Sequence, residues 1–140
     1  MSKKFSSELR RYSYIILPSI IMLMCWFLDK NFSLLSDIKS ETVSSVAGIS
    51  GDIIGLFLTI FTIYVAFPSE NITIKRLRKS GHGKIFTMNI WIGVGLSIVC
   101  IFSWLFNISD KASIIFFASS FGNIVTAMYY IATIGSYLQT

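Results

Sequence analysis

A single carboxylate stands inside a long apolar run of this sequence. Residues 48–55 read GISGDIIG, with Asp52 between Gly51 and Gly55. The stretch from Ile53 to the proline exit at Pro68 is too short to cross a bilayer, which takes about 20 helical residues. The crossing helix must therefore carry Asp52 one or two turns into the membrane. Such a carboxylate costs about 2.5–3.5 kcal/mol near a helix centre on insertion scales, so it is a functional candidate.

Small residues recur around Asp52 at a spacing that predicts close helix packing. Two stripes follow four-residue steps, Ala47-Gly51-Gly55-Thr59 in one apolar run and Ala118-Gly122-Thr126 in another. Stripes of this kind let helix backbones approach each other in a membrane. We therefore assign helix-packing roles to Gly51, Gly55 and Gly122.

Polar residues beside the second stripe are candidates to share a path with Asp52. Ser119, Ser120 and Asn123 lie at a similar depth, counted from the same end of the spans. No Lys or Arg inside a span could pair with Asp52. Asp52, Asn123, Ser119 and Ser120 are thus predicted to line a polar or water-filled pathway, in which a ring of acids would favour cations. The alternative is a protonated or hydrogen-bonded Asp52 that only fixes helix packing or reaches the outer interface.

A basic segment, KRLRKSGHGK at residues 75–84, is the second candidate site. Such a segment could bind phosphates, nucleic acid or anionic headgroups. The alternative is topological, because loops on the cytoplasmic side of membrane proteins are basic. The candidate anion-binding residues are Lys75, Arg76, Arg78, Lys79, His82 and Lys84.

Catalytic and metal-binding patterns find no support in the sequence. Cys25 and Cys100 both fall in apolar runs without metal-ligand spacing, and His82 is the single histidine. Neither a nucleophile–base set nor paired carboxylates nor a glycine-rich phosphate motif is present. The sequence therefore predicts a protein that is not an enzyme and has no metal and no cofactor.

The composition predicts an integral membrane protein. Of 140 residues, 54% are hydrophobic and only 14% are charged, whereas soluble domains average about 25% charged. Uncharged runs predict spans at about 12–28, 46–67, 85–106 and 113–137. The first is interpreted as an uncleaved helix that Pro18 kinks or loosens. The prediction is an all-α, single-domain, four-helix bundle.

The distribution of basic residues predicts the orientation of this bundle. The amino terminus and the 75–84 segment carry most of the 12 Lys and Arg residues. The positive-inside rule then places both termini and that segment in the cytoplasm. Four helices packed around themselves leave no central conduit, so a pore needs several copies and the chain is predicted to form a homo-oligomer.

The stretch GLFLTIFTIYVAFPSENITIKRLRKSGHGK joins a span, a proline exit, a K-R-L-x-x-S-G-H loop and the next span. It resembles the small four-helix transmembrane effectors of bacterial anti-phage defence systems, of the Hailong type. The resemblance implies a tetramer-like homo-oligomer that opens an ion pathway and depolarises the bacterial inner membrane. It further implies a partner nucleotidyltransferase whose single-stranded DNA product holds the effector closed, which would give the basic residues a ligand.

The sequence is therefore compatible with three functions. The first is the gated, channel-forming effector. The second is a small proton-coupled transporter, since small multidrug transporters also have four helices and one membrane acid, although theirs is a Glu in the first helix. The third is a non-conducting membrane anchor that binds a partner chain. A measurement of ion flux distinguishes the channel from the non-conducting anchor. Transport that depends on a pH gradient would identify the proton-coupled transporter.

Overall fold

Four long helices account for almost all of the residues that the structure describes. The computed structural model describes residues 12–36, 38–66, 75, 79 and 81–138, with the backbone alone for 133–138. Within these residues the chain is all-helical. The helices are α1 (Ser13–Phe32), α2 (Ser40–Ala66), α3 (His82–Leu105) and α4 (Asp110–Leu138).

Short polar residues and one glycine set the helix ends. Ser33, in a left-handed conformation, ends α1 by donating its N–H to the Asp29 carbonyl at 2.8 Å. Gly81 precedes α3 with a φ of 79°, a conformation that glycine adopts without steric cost. The Ser109 hydroxyl accepts a bond from the Ala112 N–H at 3.3 Å and so caps the start of α4.

The helices extend beyond the apolar runs that predict them. α2 begins at Ser40 instead of residue 46, and α1 ends at Phe32 instead of residue 28. Hydropathy locates the part of a helix that lies in lipid, whereas hydrogen bonding continues until a cap ends it. All four helices are long and apolar enough to cross a membrane, as expected for a multi-pass membrane protein.

The pair α3–α4 forms the centre of the bundle. These two helices share the most extensive contact, α1 packs chiefly on α4, and α2 packs chiefly on α3. At the end of the bundle that carries Lys111, called the Lys111 end, the Lys111 ammonium lies 2.9 Å from an Asp29 carboxylate oxygen and joins α1 to α4. At the opposite end, called the His82 end, aromatic residues of α2, α3 and α4 close the core.

Small polar residues share the interior with an apolar cluster, and many large apolar side chains face outward. Tyr64, Phe86 and Tyr130 pack ring against ring at the His82 end. Further toward the Lys111 end, the buried side chains become small and polar, whereas large apolar side chains such as Leu23, Phe102 and Met128 are exposed. This inverted distribution suits a bundle whose outer surface contacts lipid tails. The buried polar residues are Ser50, Asn89, Ser97, Ser103, Ser113, Ser119, Ser120, Asn123 and Thr126.

Gly93 is the closest packing point of the three central helices. A Cβ at this position would lie 2.5 Å from the Phe57 ring of α2 and 3.2 Å from the Asn123 Cβ of α4. Phe57 and Asn123 are both fully buried, so neither has free space to move into. The lack of a side chain at residue 93 therefore sets how closely α2, α3 and α4 approach.

We expect Gly93→Ala to lower the free energy of unfolding by about 1–3 kcal/mol, because overpacking a filled core forces side chains from their preferred rotamers. The measurement is unfolding of the purified chain in mixed micelles by added SDS, followed by circular dichroism. Gly95→Ala is the matched control, since its Cβ would meet open space. Equal stabilities of the two variants would contradict this account of the core.

Candidate functional site

Asp52 lies on the surface of the chain, on the side of α2 that faces away from the bundle. Beside it runs a stripe of exposed small and polar residues at three- or four-residue steps, and the apolar side chains of Leu56 and Ile63 are exposed on its other flank. Residues at these steps share one side of a helix. We call this stripe the α2 outer face, and its members are Glu41, Ser44, Gly48, Gly51, Asp52, Gly55, Thr59 and Thr62.

Contacts on the opposite side of α2 give the depth of Asp52. The Ser50 hydroxyl donates to the Cys100 sulfur at 3.2 Å, and Cys100 is close to the end of α3 at Leu105. At about 1.5 Å per residue, Asp52 lies about 10 Å inside the Lys111 end of α3. The remainder of α2, from Asp52 to Ala66, covers about 21 Å more. Asp52 is thus within the part of the helix that crosses the membrane.

The α2 outer face differs from the other surfaces of the bundle. The exposed side chains of α3 include Trp91, Ile98 and Phe102, and those of α4 include Val125 and Met128, all suited to lipid. The α2 outer face presents a carboxylate, three glycines and hydroxyls in the same depth range. Asp52 makes no hydrogen bond or ion pair within the described part of the chain.

Lipid is an unfavourable neighbour for this face. Contact of the Asp52 carboxylate with lipid would cost about 2.5–3.5 kcal/mol on insertion scales, and glycines offer little apolar area in return. A Cβ built on Gly48, Gly51 or Gly55 would meet nothing within 4 Å, so each glycine leaves a groove that no residue of the same chain fills. The face fits either a second helix at close distance or a water-filled space.

A second polar site lies inside the bundle and is centred on Asn123. The amide orientation that satisfies every neighbour is assigned from the hydrogen-bond network. In it, the Asn123 nitrogen donates to the Asn89 side-chain oxygen at 2.9 Å and to the Tyr14 carbonyl at 3.0 Å. Its oxygen accepts from the Gly93 N–H at 3.1 Å. The Asn89 nitrogen donates in turn to the Asn123 carbonyl at 2.9 Å.

Pro18 explains why Asn123 contacts the backbone of α1. A proline has no N–H, so the carbonyl four residues earlier, that of Tyr14, loses its helical partner. The Asn123 amide takes the place of that N–H. Gly122 makes the approach possible, because a Cβ there would lie 3.0 Å from the Pro18 nitrogen. One missing donor in α1 is thus supplied by a side chain of α4.

The other buried hydroxyls bond chiefly within their own helices. Ser119 donates to the Ile115 carbonyl at 2.7 Å and Ser120 to the Phe117 carbonyl at 2.7 Å. The protons of these hydroxyls are thus used within α4 and are not available to a neighbouring helix. The exception among the described residues is Ser97, whose buried hydroxyl oxygen has no hydrogen-bond partner.

The structure does not bring Asp52 together with the buried polar residues in one chain. Asn123, Ser119 and Ser120 are fully buried, whereas Asp52 is exposed on the far side of α2. The rotation of α2 explains the difference, because Phe57 takes the inward position in front of Gly93. Their shared polar pathway therefore stays a prediction, and within a chain Asp52 would not be part of it.

The three glycines that were predicted to pack against other helices also differ in their surroundings. Gly122 contacts another helix, but that helix is α1 and not α2. Gly51 and Gly55 contact no other helix among the described residues, so their predicted packing role stays a prediction. Ala47, which shares their four-residue stripe, is buried instead.

The basic candidates lie at the His82 end where the structure describes them. Lys75, Lys79 and Lys84 are exposed. His82 begins α3, and its ring centre is 6.2 Å from that of Tyr130. Arg76 and Arg78 lie outside the described residues.

The described residues contain no cluster of three or more His, Cys, Asp or Glu side chains that could hold a metal ion. Cys25 and Cys100 are both free thiols. The buried Cys100 sulfur accepts a bond from Ser50, which is a packing arrangement. The chemistry available to the described residues is thus that of hydrogen bonding, one membrane carboxylate and surface charge.

Sequence reasoning missed the two arrangements that define these sites. The Asn123 contact could have been found in part from Pro18, since a proline inside a helix marks an unpaired carbonyl four residues earlier. The α2 outer face could have been found in part by following mixed three- and four-residue steps from Glu41 to Thr62, with Asp52 next to one of them. The four-residue steps lead to Ala47, which is buried.

We expect Gly55→Leu to weaken self-association of the protein at least about tenfold, which corresponds to about 1.4 kcal/mol. A leucine there would fill the groove that we expect another copy to occupy. The measurement is the mass of the purified assembly in detergent by light scattering over a dilution series. Gly95→Leu is the matched control, because Gly95 is equally open but lies on α3. Identical masses for both variants would show that the α2 outer face is not an interface.

Comparison with known proteins gives no relative from which to transfer a function: no protein-family model matches the chain, and neither a curated protein nor a solved structure matches it. A four-helix membrane bundle hosts many functions, so fold alone carries no assignment. Function must therefore be argued from the α2 outer face and the Asn123 site.

Proposed function

We propose that this protein is a channel-forming membrane effector, in which several copies assemble with their α2 outer faces around a shared ion pathway. The observation that carries the proposal is the exposure of Asp52 on a groove of glycines, in a helix long enough to span the membrane. A carboxylate without a partner among the described residues fits water or another copy better than it fits lipid.

The chemistry of the α2 outer face supports a role in ion conduction rather than a purely structural role. Glu41 and Asp52 lie on one side of the helix, separated by about 16 Å. In a closed assembly each would form a ring of carboxylates, and acidic rings concentrate cations. Beyond Asp52 the lining would continue with the hydroxyls of Thr59 and Thr62, which can replace part of the hydration shell of a permeating cation.

The packing of the bundle supports an ion pathway between several copies rather than a pore within one chain. Phe57 and Asn123 close in on Gly93 at mid-bundle, and the hydroxyls of Ser119 and Ser120 are bonded to their own helix. An ion crossing the interior would have to break these contacts. A pathway between copies needs no such change, and closed symmetric rings are the usual form of homo-oligomers. The tetramer implied by the resemblance to Hailong-type effectors is one such ring.

The biological role that we propose follows the same resemblance. The open assembly would depolarise the inner membrane of an infected bacterium, with both termini and the basic segment in the cytoplasm. A single-stranded DNA oligomer from a partner nucleotidyltransferase would hold it closed. The exposed Lys75, Lys79 and Lys84 support an anionic ligand at the His82 end.

Asp52→Asn is expected to reduce the preference for cations at least about threefold, because the ring of charge is lost. The measurement is the reversal potential of the purified protein in liposomes under a KCl gradient. Asp110→Asn is the matched control, since it makes the same change at the exposed first residue of α4. Unchanged selectivity in Asp52→Asn would remove Asp52 from the pathway, and no flux from the wild type would contradict the channel. Flux that requires a pH gradient would indicate a proton-coupled transporter instead.

Lys79→Ala and Lys84→Ala are each expected to weaken binding of a fluorescent single-stranded DNA oligomer. For each lysine in contact, the slope of log affinity against log salt should fall by about 0.7. The measurement is fluorescence anisotropy at several salt concentrations. Lys30→Ala is the control, because Lys30 is an exposed lysine at the other end of the bundle, over the Trp26 ring. If all three substitutions weakened binding equally, the DNA would be attracted by the overall charge of the protein and the basic segment would not be a DNA site.

A further inference from the structure

We propose that α1 is a releasable helix, held on α4 by a latch in which the Asn123 amide replaces the N–H that Pro18 lacks. The latch is defined as the contact of the Asn123 nitrogen with the Tyr14 carbonyl, together with the seat of Pro18 on Gly122. The proposal does not rest on the proposed function, because its readout is the position of α1 and not ion flux.

α1 is the least embedded helix of the bundle. In its most apolar stretch only 6% of residues are buried, against 39% in α3 and in α4. Tyr14 and Pro18 are the buried residues of its 20. The remaining inward positions are half-buried, and its exposed side includes Leu23, Met24 and Phe27. α1 packs along α4 about as extensively as α2 packs on α3, but chiefly through half-buried side chains, so the polar contacts at its two ends add to its hold on the bundle.

The two ends of α1 are held differently. At the Lys111 end, Asp29 accepts from the Lys111 ammonium and from the Leu35 N–H, at 2.9 Å and 3.0 Å. Lys111 is half exposed there, and the ion pair is continuous with the turn that follows α1. At the other end, the latch is a polar contact that reaches the buried interior. Loss of the latch would thus weaken the hold on the first turns of α1, while the Asp29–Lys111 pair stays in place.

Proline is what makes the latch reversible and not a fixed part of the core. In an uninterrupted helix the Tyr14 carbonyl would be satisfied by the residue at position 18, whatever α4 did. With Pro18 that carbonyl is satisfied while α1 lies on Asn123, and is left for water once α1 moves away. Hydrogen bonds between membrane helices are individually weak, so exchange between the two positions is accessible.

The latch is in direct contact with the packing of α2. Asn123 accepts from the Gly93 N–H, and Gly93 in turn leaves room for the Phe57 ring. Phe57 is on the inward side of α2 and Asp52 on the outward side. A contiguous set of packed groups therefore runs from α1 through α4 and α3 to α2, which is the physical requirement for coupling between them.

The test is a measurement of the distance between α1 and α4 by double electron–electron resonance in lipid. Spin labels are attached to Ser19→Cys on α1 and Val125→Cys on α4, two exposed sites, in a chain with Cys25→Ser and Cys100→Ser. Labelled chains are diluted with unlabelled ones, so that distances between copies do not contribute. The seated position of α1 gives one distance, and release gives a second, longer one.

Asn123→Ala should raise the ratio of released to seated α1 by about 3- to 20-fold, the range expected for loss of one hydrogen bond between membrane helices. Pro18→Ala in the same chain should cancel most of that increase, because an alanine at position 18 supplies an N–H to the Tyr14 carbonyl. This reversal would not follow from a merely damaged core. Asn123→Ser, whose side chain is too short to reach Tyr14, tests the same step if the alanine variant does not fold.

Ser120→Ala is the matched control. Ser120 is also buried on α4, but its hydroxyl bonds to the Phe117 carbonyl of its own helix. It should leave the distance distribution unchanged. The latch is overturned if Asn123→Ala and Asn123→Ser both keep the wild-type distribution, if Ser120→Ala changes it equally, or if Pro18→Ala does not reverse the effect. A latch that behaves as expected in a protein without ion flux would leave this inference standing and remove the channel.

Discussion

Asn123 satisfies a backbone carbonyl that has no partner in its own helix, and the arrangement of three helices depends on this contact. A carbonyl buried against another helix is costly to leave unpaired, so while α1 lies on α4 its donor must come from within the protein. The Asn123 amide serves α1 through the Tyr14 carbonyl and α3 through Asn89 and the Gly93 N–H. An apolar residue at this position could fill the space but would leave several polar groups unsatisfied.

The same constraint acts on α2 with the opposite result. Its inward side is filled by Phe57 and by the contact of Ser50 with Cys100, but its outward side carries a carboxylate and glycines that none of the described residues covers. A bundle that compensates polar groups so completely around Asn123 leaves Asp52 without a partner in the described residues. This contrast is the reason why the proposed function is placed on the α2 outer face.

The four helices could be predicted from the sequence, because uncharged runs of sufficient length are a direct signature of spans. The rotation of each helix about its own axis could not be predicted. Each helix is apolar on most sides, so the pattern of hydropathy does not distinguish the side toward lipid from the side toward protein. For that reason the sequence predicts one path for Asp52 and Asn123, whereas Asp52 is exposed on the outward side of α2 and Asn123 is buried on its inward side. The partner of Pro18 was likewise inaccessible, since the contact with Asn123 depends on the register between two helices that are distant in sequence. The helix ends were displaced by several residues because caps such as Ser33 and Ser109 end helices independently of hydropathy.

The close packing at Gly93 bears on how the two sites could act on each other. A residue without a side chain holds Phe57 on one side and Asn123 on the other, so neither can shift inward without a clash. Tightly packed contacts of this kind change between discrete arrangements and do not deform gradually. If α1 leaves its seat, the Asn123 amide loses one acceptor and keeps its bonds to Asn89 and Gly93, so the change would reach Phe57 through a shift of those two bonds. Because Phe57 and Asp52 lie on opposite sides of one rigid helix, any rotation of α2 that follows would turn its outer face as well. We therefore expect the position of α1 and the orientation of Asp52 to be coupled through Gly93, and a larger residue at position 93 to alter both together.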